Sequence, residues 1–178
     1  MGFITTYTGK MFDPVNPDIE KIDIRDIAHA LSLTCRGNGQ VQTFFSVGQH
    51  CILCCREAMA RGYSDRVVLA CLVHDASESY MSDVPRPFKA ILTEYIAYEE
   101  KLLDVIYTRF LGSPLTDEEA KMVKEIDDDM LWFDMKELLK LPVNDDMPDT
   151  HVRPDYEFRP FIQVEEEYLR LYDVVKIK

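Results

Sequence analysis

His74 and Asp75 stand side by side in Leu72-Val73-His74-Asp75-Ala76-Ser77-Glu78, at the end of an apolar run. An imidazole and a carboxylate carried into such surroundings are costly unless something pairs with them, and a divalent cation is the natural partner. Neighbours on a helix point about 100° apart, so both reach one ion only from the helix edge, and further ligands must arrive from other helices. His50 and Asp127 are the suppliers this reading selects. A histidine such as His50, taken alone, is more often a core or surface residue than a ligand, and its significance comes from the pair. Asp127 belongs to the acidic run Glu125-Ile126-Asp127-Asp128-Asp129, by default a solvated helix face. It lies four residues after Val123 and three before Met130, so it borders the apolar stripe while Asp128 and Asp129 turn away. Asp128 remains the alternative.

The elements that must position these residues read as helices. Asp23 can cap a first helix in which Ile24, Ile27, Ala28 and Leu31 recur at helical spacing. Gly37 and Gly39 break it into a loop that carries Arg36. Ser46 caps a second helix that holds His50, reaches about Ala60 and is ended by Gly62. Ser64 opens a third, expected to run on through His74 and Asp75 and to stop before Pro85 and Pro87. A fourth covers roughly Thr93 to Leu111, stopped by Gly112 and Pro114. A fifth starts on the capping box of Thr116 and Glu119 and extends to about Leu139. Pro142 to Pro160 reads as an irregular excursion before a last helix near Phe161 to Val174, and residues 1 to 22 as a small strand or extended arm. The expected fold is all-α, a single-domain helical bundle with a short extended N-terminal arm.

A chain of 178 residues fits one domain, with 47% hydrophobic and 29% charged residues, an ordinary globular balance. No long apolar run or basic-then-apolar start appears, which leads to the expectation of a soluble cytoplasmic protein that does not enter membranes. The net charge of -12 opposes a polyphosphate backbone, so duplex nucleic acid is an unfavourable partner, whereas a small phosphate ester fits a pocket locally reversed by a cation and basic side chains. Cys35, Cys51, Cys54, Cys55 and Cys71 give an odd count in apolar helical text and read as reduced thiols. Cys51-Ile52-Leu53-Cys54 has the spacing of a redox or zinc pair, but it lies inside a helix without a second pair. His29 and His151 fall outside the pattern and are expected to be structural.

A histidine on one helix, a His-Asp pair on a later one and a distant aspartate, here His50, His74-Asp75 and Asp127, resemble the signature of the HD phosphohydrolase superfamily. His74 to Glu78 followed by Asp83, Pro85, Pro87 and Lys89 resembles its 5'-deoxynucleotidase branch, and DIAHALS, CRGNG and FFSVGQH resemble prophage-type relatives of that branch. The resemblance implies an HD-domain helical bundle, often a homodimer. It also implies one divalent ion (manganese, cobalt, iron or zinc) on two imidazoles and two carboxylates, with positions left for water and a phosphate oxygen. It gives Glu78 a role in turnover, Asp83 one in proton transfer, Arg36 a grip on the substrate phosphate, and Lys89 a possible phosphate contact. The implied activity is release of phosphate from nucleoside 5'-monophosphates. Hydrolysis of another small ester or a nucleoside triphosphate is the enzymatic alternative, and a catalytically silent, metal-stabilised interaction protein the non-enzymatic one. In the deoxynucleotidase pattern an aromatic residue follows the arginine and crowds a ribose 2'-hydroxyl. Here Gly37 follows, so weak sugar discrimination is expected.

Overall fold

The computed structural model describes residues 2–143 and 146–177. The chain opens as a hairpin, β1 (Ile4–Thr5) antiparallel to β2 (Met11–Phe12), with Ile4 opposite Phe12 and Thr5 opposite Met11. Two contacts pin this arm to the bundle: Phe12 is fully buried against the Tyr80 ring, and the Thr8 backbone and hydroxyl both donate to Asp26. The helices that follow are α1 (Ile24–Leu33), α2 (Val47–Ala60), α3 (Asp65–Val73), α4 (Glu78–Met81), α5 (Arg86–Lys89), α6 (Thr93–Leu111), α7 (Asp117–Phe133) and α8 (Phe161–Val175). The molecule is an all-α bundle with a small two-stranded arm, and no helix among the described residues is long and apolar enough to cross a membrane.

The caps do what their residue types demand. Asp23 accepts from the Arg25 amide, and Ser64 from that of Val67, at the starts of α1 and α3. Ser46 with Gln49, and Thr116 with Glu119, form reciprocal capping boxes on α2 and α7. Gly112 ends α6 in the left-handed conformation, at φ 85°.

Helix α2 is the axis of the bundle, packed against α1, α3, α7 and α8. It comes so close to α1 that a Cβ on Gly48 would lie 3.2 Å from the Leu31 carbonyl carbon and the Ser32 nitrogen. Helix α8 buries Tyr168 completely, and its hydroxyl donates to the Leu72 carbonyl at 2.6 Å, fixing the end of α3 just before His74.

The expected continuous helix through His74 is corrected. Helix α3 ends at Val73, and residues 74–77 form tight turns in which Ala76 donates to Val73 and Glu78 to Asp75, before α4 resumes. Bonds to the third residue back tighten the backbone and change the direction in which successive side chains project. Helix α7 continues into a π-turn, Asp134–Leu138. Part of the expected Pro142 to Pro160 excursion, residues 144 and 145, lies outside the described residues. Its later part is anchored by buried Glu57, which accepts from the amides of His151 and Val152 as well as from Arg61.

The close approach of α1 and α2 gives a stability prediction. Gly48→Ala adds a methyl group against backbone that cannot rotate away, and should cost about 1–3 kcal/mol. Urea unfolding of both proteins measures it, and an unchanged midpoint would contradict the packing described.

Candidate metal centre

His50 projects from the second turn of α2, fully buried, with Nε2 3.0 Å from Asp127 Oδ1 and 3.9 Å from Asp75 Oδ2. His74, at the end of α3, points its Nε2 to 3.3 Å from Asp75 Oδ2 and 3.7 Å from Asp127 Oδ1. Donors bound at about 2.0–2.2 Å to one ion lie about 2.8–3.6 Å apart at octahedral or tetrahedral angles. The four side chains are thus near the spacing a shared cation requires.

The protons decide how well they fit. His74 Nδ1 is 2.8 Å from the Cys71 carbonyl, which can only accept, so Nδ1 carries a hydrogen and Nε2 is the atom left for a proton or a metal ion. Burial lowers the His74 pKa, but the neighbouring carboxylates, Asp75 foremost, raise it overall well above that of an ordinary histidine. That buried Nε2 has no hydrogen-bond partner among the described residues, and it faces carboxylate oxygens. His50 Nε2 meets a donor, Arg36 Nη2 at 3.1 Å, and an acceptor, Asp127 Oδ1, on the same atom. His50 Nδ1 faces Asp134 Oδ2 at 3.2 Å, off the line of a hydrogen bond. Imidazole nitrogens and carboxylate oxygens thus crowd one point, where a proton on the rings or a bound cation offsets the acidic charge. The donor set is one that manganese, iron, cobalt or zinc accepts.

Arg36 is the protein's own cation at this point. Its Nε donates to Asp134 Oδ2 at 3.1 Å and its Nη1 to Asp75 Oδ2 at 3.2 Å, while Nη2 lies 3.6 Å from Asp127 Oδ1. The loop that carries it needs three successive positive φ angles, at Gly37, Asn38 and Gly39. Asp83 Oδ2 accepts the Gly37 amide at 3.1 Å and so ties the loop down.

Electrostatics follow from these contacts. Burial raises the pKa of Asp75, but the His74 and Arg36 charges overcome it and hold the carboxyl below the usual range. Asp127 is lowered against burial by its hydrogen bond to His50 and by the nearby His74 imidazole, and Asp134 by His50, Arg36 and the Tyr156 hydroxyl. Burial and Arg36 push the His50 pKa down, yet Cys54 and the adjacent carboxylates of Asp127 and Asp134 raise it overall. Glu78 goes the other way: burial, Asp75 and Asp83 raise its pKa well above that of an ordinary glutamate. Its Oε2 is buried without a hydrogen-bond partner among the described residues.

Of the residues selected from sequence, His50, His74, Asp75, Asp127 and Arg36 converge directly, and Glu78 and Asp83 flank them. Asp128 turns outward to Lys124 and Arg86, and Asp129 to Arg61. Lys89 is not brought in by contact, since its ammonium pairs with Glu99 at 2.9 Å. Arg86, one turn earlier on α5, reaches Asp127 Oδ2 at 2.7 Å instead. His29 stacks on Tyr7 and pairs with Glu165, and His151 lies beside Glu57. Asp134 was not anticipated, although its position seven residues after Asp127 on a helix that starts with a strong cap was a usable signal. Tyr156, whose hydroxyl donates to Asp134 Oδ1 at 2.8 Å, gave no such signal. A cleft of about 370 Å³ between α6 and α7 reaches His74 and Asp127, walled by Leu103, Tyr107, Leu115 and Val123 with exposed Glu100 and Asp104 beside them.

No protein-family model matches the chain. It is 39% identical over 112 residues to the uncharacterized protein YfdR of Escherichia coli (strain K12), covering 62% of this chain. It is 35% identical over 109 residues to an uncharacterized protein of Rhodobacter capsulatus, covering 58% of this chain. The chain spans 59% and 55% of the lengths of these two relatives.

The role of Arg36 can be tested without a substrate. In chelator, Arg36→Met leaves buried Asp134 and partly buried Asp75 and Asp127 short of a counter-charge and should lose about 3–5 kcal/mol of stability. Excess manganese or zinc should then raise its melting temperature by more than it raises that of the wild type. Equal stability of the two proteins in chelator would show that the guanidinium does not compensate the carboxylates.

Proposed function

We propose that this chain is a metal-dependent phosphohydrolase of the HD superfamily, a nucleotidase that releases phosphate from nucleoside 5'-monophosphates. The observation that supports this most is the convergence of His50, His74, Asp75 and Asp127 from α2, the end of α3 and α7 onto one buried point, with the His74 tautomer set by the Cys71 carbonyl. These four side chains would hold the ion. When bound, a divalent ion supplies Lewis acidity, polarising a phosphoryl oxygen and acidifying water.

The remaining tasks fall to the chain's own residues. Arg36 presents a planar guanidinium beside the four ligands, suited to two phosphate oxygens at once once a cation has taken over its carboxylate partners. Arg86, at the Asp127 edge, adds a second positive charge. Glu78, kept protonated by burial and by its acidic neighbours, is a proton donor for the departing alkoxide. Asp83 holds the Arg36 loop in place through the Gly37 amide. The nucleoside then extends into the α6–α7 cleft, an open approach to His74 and Asp127.

A Cβ on Gly37 would meet Val41 and Leu139, 3.4 and 3.5 Å away, and no side chain at this position presses on a sugar. The ratio of kcat/KM for dAMP over AMP should therefore stay within about tenfold.

Phosphate release from paired ribo- and deoxyribonucleoside monophosphates, with manganese, cobalt, iron and zinc in turn, tests the reading. Triphosphates and simple phosphate esters serve as competitors. His74→Ala and Asp75→Ala should each lose stoichiometric metal and activity, whereas Glu78→Gln should keep metal and lose about a hundredfold or more in kcat. Full metal content in both ligand variants, or no phosphate release from any monophosphate, would overturn the proposal.

A further inference from the structure

Two of the four ligands proposed above belong to a second grouping that the phosphohydrolase reading does not use. Cys54 follows His50 by one turn of α2, so the two side chains share a helix face. Its Sγ lies 3.5 Å from His50 Nε2. Ligand atoms of His50, Cys54 and His74 all fall within 4.8 Å of one another, and all three residues are buried.

We propose that Cys54 is a ligand of this centre, binding through its thiolate together with His50 and His74, and that it confers selectivity for a thiophilic divalent ion such as zinc. The inference rests on reading the cluster as a metal centre. Its geometry is independent of the carboxylates. Bonds of about 2.3 Å to sulfur and 2.0–2.1 Å to nitrogen, at a tetrahedral angle, separate the two donors by about 3.5 Å. That is the separation between Cys54 and His50. The third corner is the His74 Nε2 already noted, buried and without a hydrogen-bond partner.

The other thiols of α2 are placed differently. Cys55 faces Cys71 and Cys54, and burial pushes its pKa up, as befits a thiol of the core. Cys51 groups with His74 and Asp75 rather than with His50. The pair Cys51-Ile52-Leu53-Cys54, which lacked a second cysteine pair in the sequence, thus finds histidines from α2 and α3 beside it.

A sulfur donor changes which ions the site favours. Imidazole and carboxylate alone are permissive, but a thiolate tilts the order toward zinc, iron and cobalt and away from magnesium and manganese. When the sulfur–metal bond forms, the thiol proton is released to solvent, so each ion bound through Cys54 frees one proton.

Cobalt titration of the purified, metal-free protein reads this directly. The wild type should develop thiolate-to-cobalt charge-transfer absorption in the near ultraviolet. Cys54→Ala should lose that band while Cys51→Ala keeps it, and zinc affinity in Cys54→Ala should fall more than about tenfold, with manganese affinity changed less than about threefold. X-ray absorption at the zinc edge supplies a measurement on unmutated protein: a sulfur shell at about 2.3 Å should accompany the nitrogen and oxygen shell. Metal bound through nitrogen and oxygen alone overturns the Cys54 assignment and leaves the four-ligand reading standing. Loss of the charge-transfer band in Cys51→Ala instead also overturns it. No uptake of cobalt or zinc by the wild type overturns both.

Discussion

Three carboxylates, Asp75, Asp127 and Asp134, meet two imidazoles and one guanidinium in the interior, and this compensation of buried charge is what the surrounding helices are arranged to hold. Charges taken out of water return little unless geometry is close and remaining donors and acceptors are matched. Here the match comes from parts of the chain far apart in sequence: Arg36 from a left-handed loop, His50 from α2, His74 and Asp75 from the end of α3, and two aspartates from α7 and its π-turn. The hydrocarbon core is therefore more than a source of stability. It fixes the relative positions of helices whose polar side chains would otherwise repel or solvate.

That requirement accounts for several details away from the cluster. The Tyr168 hydroxyl reaches a carbonyl on the last turn of α3, so α8 controls where His74 leaves its helix. Gly48 lets α2 lie against α1 at backbone distance, which sets the height of His50 two residues later. The break after Val73 departs from the divergence of about 100° that neighbours keep on a regular helix, and His74 Nε2 and Asp75 Oδ2 end 3.3 Å apart.

Much of this was legible in the residues. Caps at Asp23, Ser46, Ser64 and Thr116 announce helix starts because their side chains satisfy amides that the helix leaves free, a local matter needing no tertiary information. His74-Asp75 stood out because its neighbours are apolar, and Asp127 because it borders an apolar stripe. What stayed hidden depends on contacts between distant segments. Tyr156 comes from a stretch without periodicity, and its link to Asp134 exists only once Glu57 has drawn residues 151 and 152 inward. Arg86 and Lys89 share one short helix, and only their distances to Asp127 and Glu99 separate a residue at the cluster from one beside it. The turn at 74–77 has no local signal, because nothing in His74-Asp75-Ala76-Ser77 forbids a helix.

The anchor at Glu57 also carries a consequence for the order of events as the polypeptide is made. Helix α2 emerges long before residues 151 and 152, the backbone donors that its buried carboxylate accepts. Until they arrive, Arg61 at the C-cap of α2 is its hydrogen-bond partner among the described residues. In a chain that stops after α7 the Glu57 carboxylate lacks these two amide donors, and the closing of the bundle over this part of α2 is tied to the segment beyond α7.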